Sequence, residues 1–284
     1  MTAAQITLAG QESRLLLAFC IAQSGVLKPY LEHGRILMKG GATVSLLARQ
    51  IAGMPLRLSG RMSAAGMRGA LRKGPGAHFL LFESGRAQNV DEDPAAAARM
   101  LGPGDLFLTG ANAIDAYGNA ALLIGSPGGG GYGACMGALY TEGFRTLILT
   151  SVQKLIPGDL RELYGRVDRN RCAFSYGMAC ALAPIPGEII TETEALSLYA
   201  GVRAVCFARG GHTGAEDAAA FQITGETAAV EKVLELTDRI KSIPPITAAE
   251  AESETECTFP CAGCKTHRAC RYAGKQTIWK GGDR

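Results

Sequence analysis

The chain reads as an α/β protein built on a mainly parallel sheet with helices on both faces, and three observations point there. Short apolar runs alternate with helical patterns from residue 35 to residue 150, the rhythm of strands joined by crossover helices. The 37 glycines fall between those runs without a collagen-like period, as tight turns between strands and helices require. The composition, 47% hydrophobic and 19% charged with only 6% aromatic, describes an aliphatic core and excludes disorder along most of the 284 residues.

Leu15, Ala18, Phe19 and Ala22 recur at helical spacing, so residues 11–31 form a helical lead-in. Residues 35–39 are a short apolar strand that turns through Gly40 and Gly41 into a helix over 44–52. Strands are expected at 55–61 and 78–83. The Asp93-Pro94 pair opens a helix over 93–101, Gly102-Pro103-Gly104 closes it, and residues 105–109 return as a strand. A strand at 120–124, a helix at 132–142 behind four glycines and a strand at 145–150 complete the alternating part.

Beyond residue 160 the rhythm changes. Strands at 177–183 and 188–190, a helix at 192–199, strands at 203–208 and 218–223, and a helix at 226–240 with Val230, Val233, Leu234 and Leu236 inward indicate a smaller α+β subdomain. The expected divisions are an α/β ligand-binding domain at 1–160, the subdomain at 161–243, a polar linker at 244–256 and a cysteine-rich segment at 257–284.

A net charge of +3 without a basic, aromatic-interleaved stripe argues against nucleic acid as a partner. No apolar stretch approaches the roughly 18 residues that span a bilayer, and the first segment lacks a signal-peptide layout, so no membrane partner and a cytoplasmic location are expected. Cysteine usage agrees: five of the nine (Cys20, Cys135, Cys172, Cys180, Cys206) sit among small or apolar residues, and the other four crowd together near the end.

Those four, Cys257, Cys261, Cys264 and Cys270, give C-x3-C-x2-C-x5-C with Gly263 and His267 between them. Thiolates this close in sequence can wrap one soft cation or one cluster. Zinc knuckles usually come as two C-x2-C pairs roughly a dozen or more residues apart, whereas a compact run is typical of cubane-cluster loops. A [4Fe–4S] cluster is therefore expected, with structural zinc as the alternative. The first three cysteines match the radical-SAM spacing, but the terminal position and the fourth cysteine turn that reading aside.

Gly40, Gly41, Thr43 and Ser45 follow a strand and open a helix, where backbone N–H groups favour an anion. Gly110 and Asn112 lie in the turn Thr109-Gly-Ala-Asn-Ala-Ile-Asp115, and Gly128, Gly129 and Gly130 lie in the loop before the next helix. In open sheets such turns converge at the carboxyl ends of the strands, so all nine are expected to line one pocket. Lys39, beside the first glycine pair, either contacts the anion or is one more exposed lysine.

This order of turns over residues 34–157 resembles the NagB/RpiA/CoA-transferase-like superfamily, which includes ribose-5-phosphate isomerases, CoA-transferases, initiation-factor-2B-like proteins and lactate-utilisation proteins, some of them with iron–sulfur clusters. The resemblance implies a small phosphorylated, carboxylated or CoA-linked ligand and a transferase or isomerase reaction. It offers two carboxylates for catalysis. Glu83, in Phe82-Glu-Ser-Gly85, corresponds to the transferase nucleophile that forms an acyl anhydride and then a thioester. Asp115 is the remaining proton-moving carboxylate, since Thr109 and Asn112 occupy the matching positions and are not general bases. Two other readings compete: a non-catalytic regulatory ligand-binding protein, and a redox accessory protein that uses its cluster with a partner protein. A homo-oligomer fits either.

Lesser candidates are His212 and Glu216, in a glycine loop between two strands, and Arg61 and Arg68, flanking a short turn. Cys135 follows the four-glycine loop and is expected to be packed rather than activated.

Overall fold

The computed structural model describes residues 1–63, 66–69, 76–244 and 270. In chain order these form β1 (Thr2–Leu8), α1 (Gly10–Gln23), α2 (Lys28–His33), β2 (Arg35–Lys39), α3 (Ala42–Ala52), β3 (Gly60–Ser63) and β4 (Gly66–Gly69). Next come β5 (Phe79–Glu83), β6 (Arg86–Asn89), α4 (Pro94–Arg99), β7 (Leu106–Thr109), β8 (Ala113–Ile114), β9 (Ala120–Ile124), α5 (Gly130–Thr141) and β10 (Arg145–Leu149). The remainder is α6 (Leu160–Leu163), β11 (Ala181–Ile185), β12 (Glu188–Ile190), α7 (Glu192–Ala200), β13 (Arg203–Arg209), β14 (Ala219–Gly225) and α8 (Thr227–Lys241).

The central sheet of the described residues has six strands in the order β12-β10-β7-β2-β5-β6. The first four run parallel, β5 is antiparallel to them, and β6 pairs antiparallel with β5. The architecture is thus mixed α/β, and the sheet is mixed rather than mainly parallel. The reason lies between β2 and β5. Helix α3 carries the chain away from the carboxyl edge of β2, and the stretch from residue 53 brings it back, with Leu56 bonded to Ser45 in the first turn of α3. Two traverses instead of one start β5 at the carboxyl edge, where Phe79 pairs with Lys39.

Alternation within the strands divides the core. Ile36 and Met38 of β2, with Leu80, Leu106, Leu108, Leu147 and Leu149, face α1, α3, α7 and α8. Leu37, Phe79, Leu81, Phe107 and Ile148 face α4, α5 and a small sheet, β11-β9-β8. Both faces of the sheet are covered, so its strands are apolar on both sides and read as continuous hydrophobic runs.

A second small sheet, β1-β14-β13, lies beyond α8 and contains a strand that sequence periodicity does not announce. β1 pairs with β14 along its full length, from Thr2 opposite Gly225 to Leu8 opposite Ala219. Its buried Ile6 and Leu8 belong to the same core cluster as Ile36 and Leu108. Residues 2–8 therefore pack with the segment assigned from sequence to the later subdomain. Two other expectations shift: of residues 55–61 only the end is a strand, and the strand expected at 177–183 begins at Ala181. Among the described residues no helix is long and apolar enough to cross a membrane.

Candidate functional site

Two glycine-bearing corners meet at the carboxyl edge of the central sheet, and a third glycine loop leads into the helix that packs beside them. Gly40 and Gly41 follow β2, and Gly110 follows the neighbouring β7; a methyl group at Gly41 would lie 3.9 Å from the Gly110 amide nitrogen. Gly110 in turn abuts β10, a methyl there coming 3.5 Å from the Leu149 carbonyl oxygen. The third loop arrives from the other face. Gly128, Gly129 and Gly130 have φ of 61°, 82° and 57°, three successive left-handed residues that only glycine adopts readily. They lead into α5, whose Gly131 rests on the ring of Phe79, the cross-strand neighbour of Lys39.

Close approach fixes the floor of this corner. A methyl group at Gly40 would stand 2.0 Å from the Arg57 carbonyl oxygen and 2.6 Å from His78 Nδ1. The Gly128–Gly130 loop is bordered by open space: methyl groups at Gly128 or Gly129 would meet nothing within 4 Å. Because α3 follows a parallel strand and α5 precedes one, both helices begin at this edge, on opposite faces of the sheet. Their first-turn N–H groups, apart from the Gly130 amide that donates to the Pro127 carbonyl, and their positive dipole ends flank the corner.

Lys39 sits beside the Gly40 turn. It is 7% exposed, on the face of β2 that carries Leu37 and looks toward α5. Its ammonium turns back on the corner, with one polar contact among the described residues, the Gly40 carbonyl oxygen at 3.5 Å. The carboxylates nearby are otherwise engaged. Asp91 accepts from the His78 and Phe79 amides and from Arg57, and Asp93 caps α4 through the Ala96 amide. Burial pushes the Lys39 pKa down to about 8, partly countered by the Cys135 thiol.

The neighbours of Lys39 are held neutral. His78 Nδ1 lies 2.7 Å from the Arg57 carbonyl oxygen, which can only accept, so the ring proton is on Nδ1. Burial first, then the Lys39 charge, lowers the His78 pKa to about 3. Cys135 is fully buried, donates to the Pro94 carbonyl oxygen at 3.3 Å and has its pKa raised to about 11 by burial. It is a packed thiol, as expected from its small neighbours.

The other residues named from sequence are placed as follows. Ser45 is buried and spent on structure: its hydroxyl accepts from the Leu56 amide at 2.9 Å and donates to the Leu56 carbonyl at 3.1 Å. Thr43 is buried in the first turn of α3. Asn112 stands past the Gly110 corner, and its Oδ1 accepts from the Leu123 amide to brace the β8–β9 hairpin.

The two carboxylates proposed for catalysis are not brought together with the glycine corners. Glu83 ends β5 opposite Arg35, at the amino edge of β2, and pairs with Arg35 Nε at 2.7 Å. Four residues of β2 separate it from Lys39, roughly 13 Å of strand. Its Ser84-Gly85 sequence is a hairpin turn with φ of 50° and 76°, which explains the motif without a nucleophile. Asp115 is 6% exposed and organises a turn. One oxygen accepts from the Tyr117 and Asn119 amides, the other from Asn119 Nδ2 and the Leu160 amide. Burial works to raise its pKa, but these bonds, led by Leu160, outweigh it and hold the carboxyl below its ordinary range. All its acceptor capacity is used, which corrects its reading as a general base.

Among the lesser candidates, Arg61 and Arg68 face each other across β3 and β4. His212 and Glu216 lie in the exposed β13–β14 connection, where Glu216 accepts from the Gly214 amide. An open groove of roughly 480 Å³ lies on the outer face of the small sheet, lined by Gln5, Val205, Phe207 and Gln222, away from the corners.

Of the four terminal cysteines, Cys257, Cys261 and Cys264 lie outside the described residues. Cys270 is buried and bridges to Ser175. Among the described residues no three His, Cys, Asp or Glu side chains are placed to hold a metal ion.

Glu192 had no signal in the sequence beyond the start of a helix. It is fully buried at the carboxyl ends of β10 and β12; Oε2 accepts from the Val152 amide at 3.0 Å, and Oε1 has no hydrogen-bond partner among the described residues. No family model, curated protein or solved structure matches the chain, which leaves the chemistry of the glycine corner itself as the guide to function.

Proposed function

We propose that the protein binds a small anionic metabolite, phosphorylated, carboxylated or CoA-linked, at the corner formed by Gly40, Gly41, Gly110 and Gly128 to Gly130. The observation that carries this reading is Lys39. A buried ammonium without a carboxylate is unfavourable unless an anion joins it, and here it lies beside the Gly40 turn that opens α3, on the face of the sheet that α5 covers. The order of strand, glycine turn and helix also supports kinship with the isomerase and CoA-transferase folds, although the β5–β6 hairpin adds to that pattern.

The test is thermal stabilisation by inorganic phosphate, sugar phosphates, carboxylates and CoA. Saturable stabilisation by one of these classes is expected, weakened at least tenfold in Lys39→Met and unchanged in Glu83→Gln. An equal response of wild type and Lys39→Met would sink the assignment.

A second reading concerns the tail. We propose that Cys257, Cys261, Cys264 and Cys270 hold a [4Fe–4S] cluster, or zinc in its place, and that the protein passes electrons or is stabilised through it. The observation favouring a folded role for this segment is that Cys270 is buried against Ser175 rather than standing in solvent.

A further inference from the structure

We propose that Lys39 is the covalent catalyst of this site, forming an imine with a small phosphorylated or carboxylated aldehyde or ketone. The proposal rests on the anion-binding reading above and deepens it by naming the reacting atom and the substrate class. Two features of the corner lead to it.

The first is the placement of the amine. Nζ is turned back to Gly40, where the chain leaves the sheet, and no side chain intervenes at Gly40, Gly41 or Gly110. An anionic group held by the first-turn amides of α3 or α5 therefore brings the rest of a small ligand over Nζ. The second is the lack of anything that fixes the ammonium as such. No carboxylate pairs with Lys39 among the described residues, Cys135 and His78 are uncharged neighbours, and Leu37 and Phe79 make the wall apolar. A lysine desolvated in this way keeps a reactive fraction of free amine at neutral pH, which an exposed lysine does not.

The chemistry balances without any further reagent. The Nζ lone pair adds to the carbonyl carbon, and the carbonyl π pair moves to oxygen to give a carbinolamine. That oxygen then departs as water with the two amine hydrogens, leaving a carbon–nitrogen double bond. Protonation of the imine nitrogen gives an iminium that withdraws electrons from the adjacent carbon, and hydrolysis returns the amine. A thioester at the same place would acylate Lys39 to a stable amide and end turnover, so a carbonyl substrate fits the residue better than an acyl donor. With Asp115 saturated and Glu83 at the opposite edge, Lys39 is also the reactive group that the corner itself supplies.

Pyridoxal 5′-phosphate, a phosphorylated aldehyde, is a direct probe. The full-length protein is incubated with it, reduced with borohydride and mapped by peptide mass spectrometry, in parallel with thermal stabilisation by inorganic phosphate. The expected result is adduct at Lys39 ahead of every other lysine, saturable and suppressed by excess phosphate. Lys39→Arg, which keeps a cation but no nucleophilic amine, should lose the adduct at that position without new label at a neighbouring lysine. Phosphate stabilisation with label scattered over surface lysines would overturn the imine and leave the anion site standing. Neither stabilisation nor selective label would overturn both. The wild-type labelling pattern decides the matter even if the arginine variant folds poorly.

Discussion

The ring of Phe79 occupies the place a side chain would take at Gly131, its Cε2 carbon 2.7 Å from where a Cβ would stand. Phe79 is buried and locked by its neighbours in β2 and β5, so it cannot swing aside. Gly131→Ala is therefore expected to lift the start of α5 off the sheet and destabilise the fold by about 1–3 kcal/mol. Urea unfolding measures this. Gly129→Ala, where space is open but φ is 82°, isolates the backbone cost alone.

Asp115→Asn should be as damaging as a core substitution. The new amide would point its hydrogens at Asn119 Nδ2 and the Leu160 amide, donors facing donors, at an expected cost of about 2–4 kcal/mol. The pH dependence has a definite sign. The folded pKa lies below the ordinary value of 3.8, so the carboxylate stabilises the fold above that value, and the contribution is lost as pH falls through the folded pKa. The variant should show a flatter acid limb below about pH 4 in chemical denaturation.

Lys39 has the opposite effect on the ligand-free protein. Its folded pKa of about 8 lies below the ordinary 10.5, so unfolding takes up a proton between those values. Stability should rise as pH goes from about 8 to about 10.5, by ~3 kcal/mol at most. Lys39→Met should lack that rise and unfold at a higher temperature than wild type at pH 7, while losing anion binding. Cys135 also faces this site and is raised to about 11, so the difference between the two proteins, not either curve alone, is the measurement.

For the terminal cysteines the expectation is a brown protein with absorbance near about 400 nm and about four irons per chain after anaerobic purification. Single Ser substitutions at Cys257, Cys261 and Cys264 should abolish the colour. A colourless protein with one zinc supports the alternative, and a protein with neither metal removes the site.

Much of this fold can be read from residue pattern. α3 and α8 announce themselves because each buries a face at helical spacing, β2 and β10 because they are short apolar runs, and α5 through the glycines that precede it. β1 does not. In Thr2–Leu8 only Ile6 and Leu8 are buried, and its partner lies more than two hundred positions away. The glycine corners are visible as turns, and the approach of Gly41 to Gly110 follows from β2 and β7 being neighbours. What could not be read was environment. Asp115 and Glu83 resemble catalytic carboxylates in sequence, but tertiary donors decide that one is saturated and the other is paired with Arg35. Lys39 looked equally suited to solvent, and only the packing of α5 over Phe79 makes it a buried base.

The pairing of Thr2 with Gly225 sets a condition on biosynthesis. During synthesis β1 holds an unsatisfied edge until β14 has emerged. Closure of that long loop then makes the small sheet wait for β14, so it should gain protection from amide hydrogen exchange later than the β2–β7 pair. A chaperone that shields Thr2–Leu8 in the interval would raise the yield of native protein.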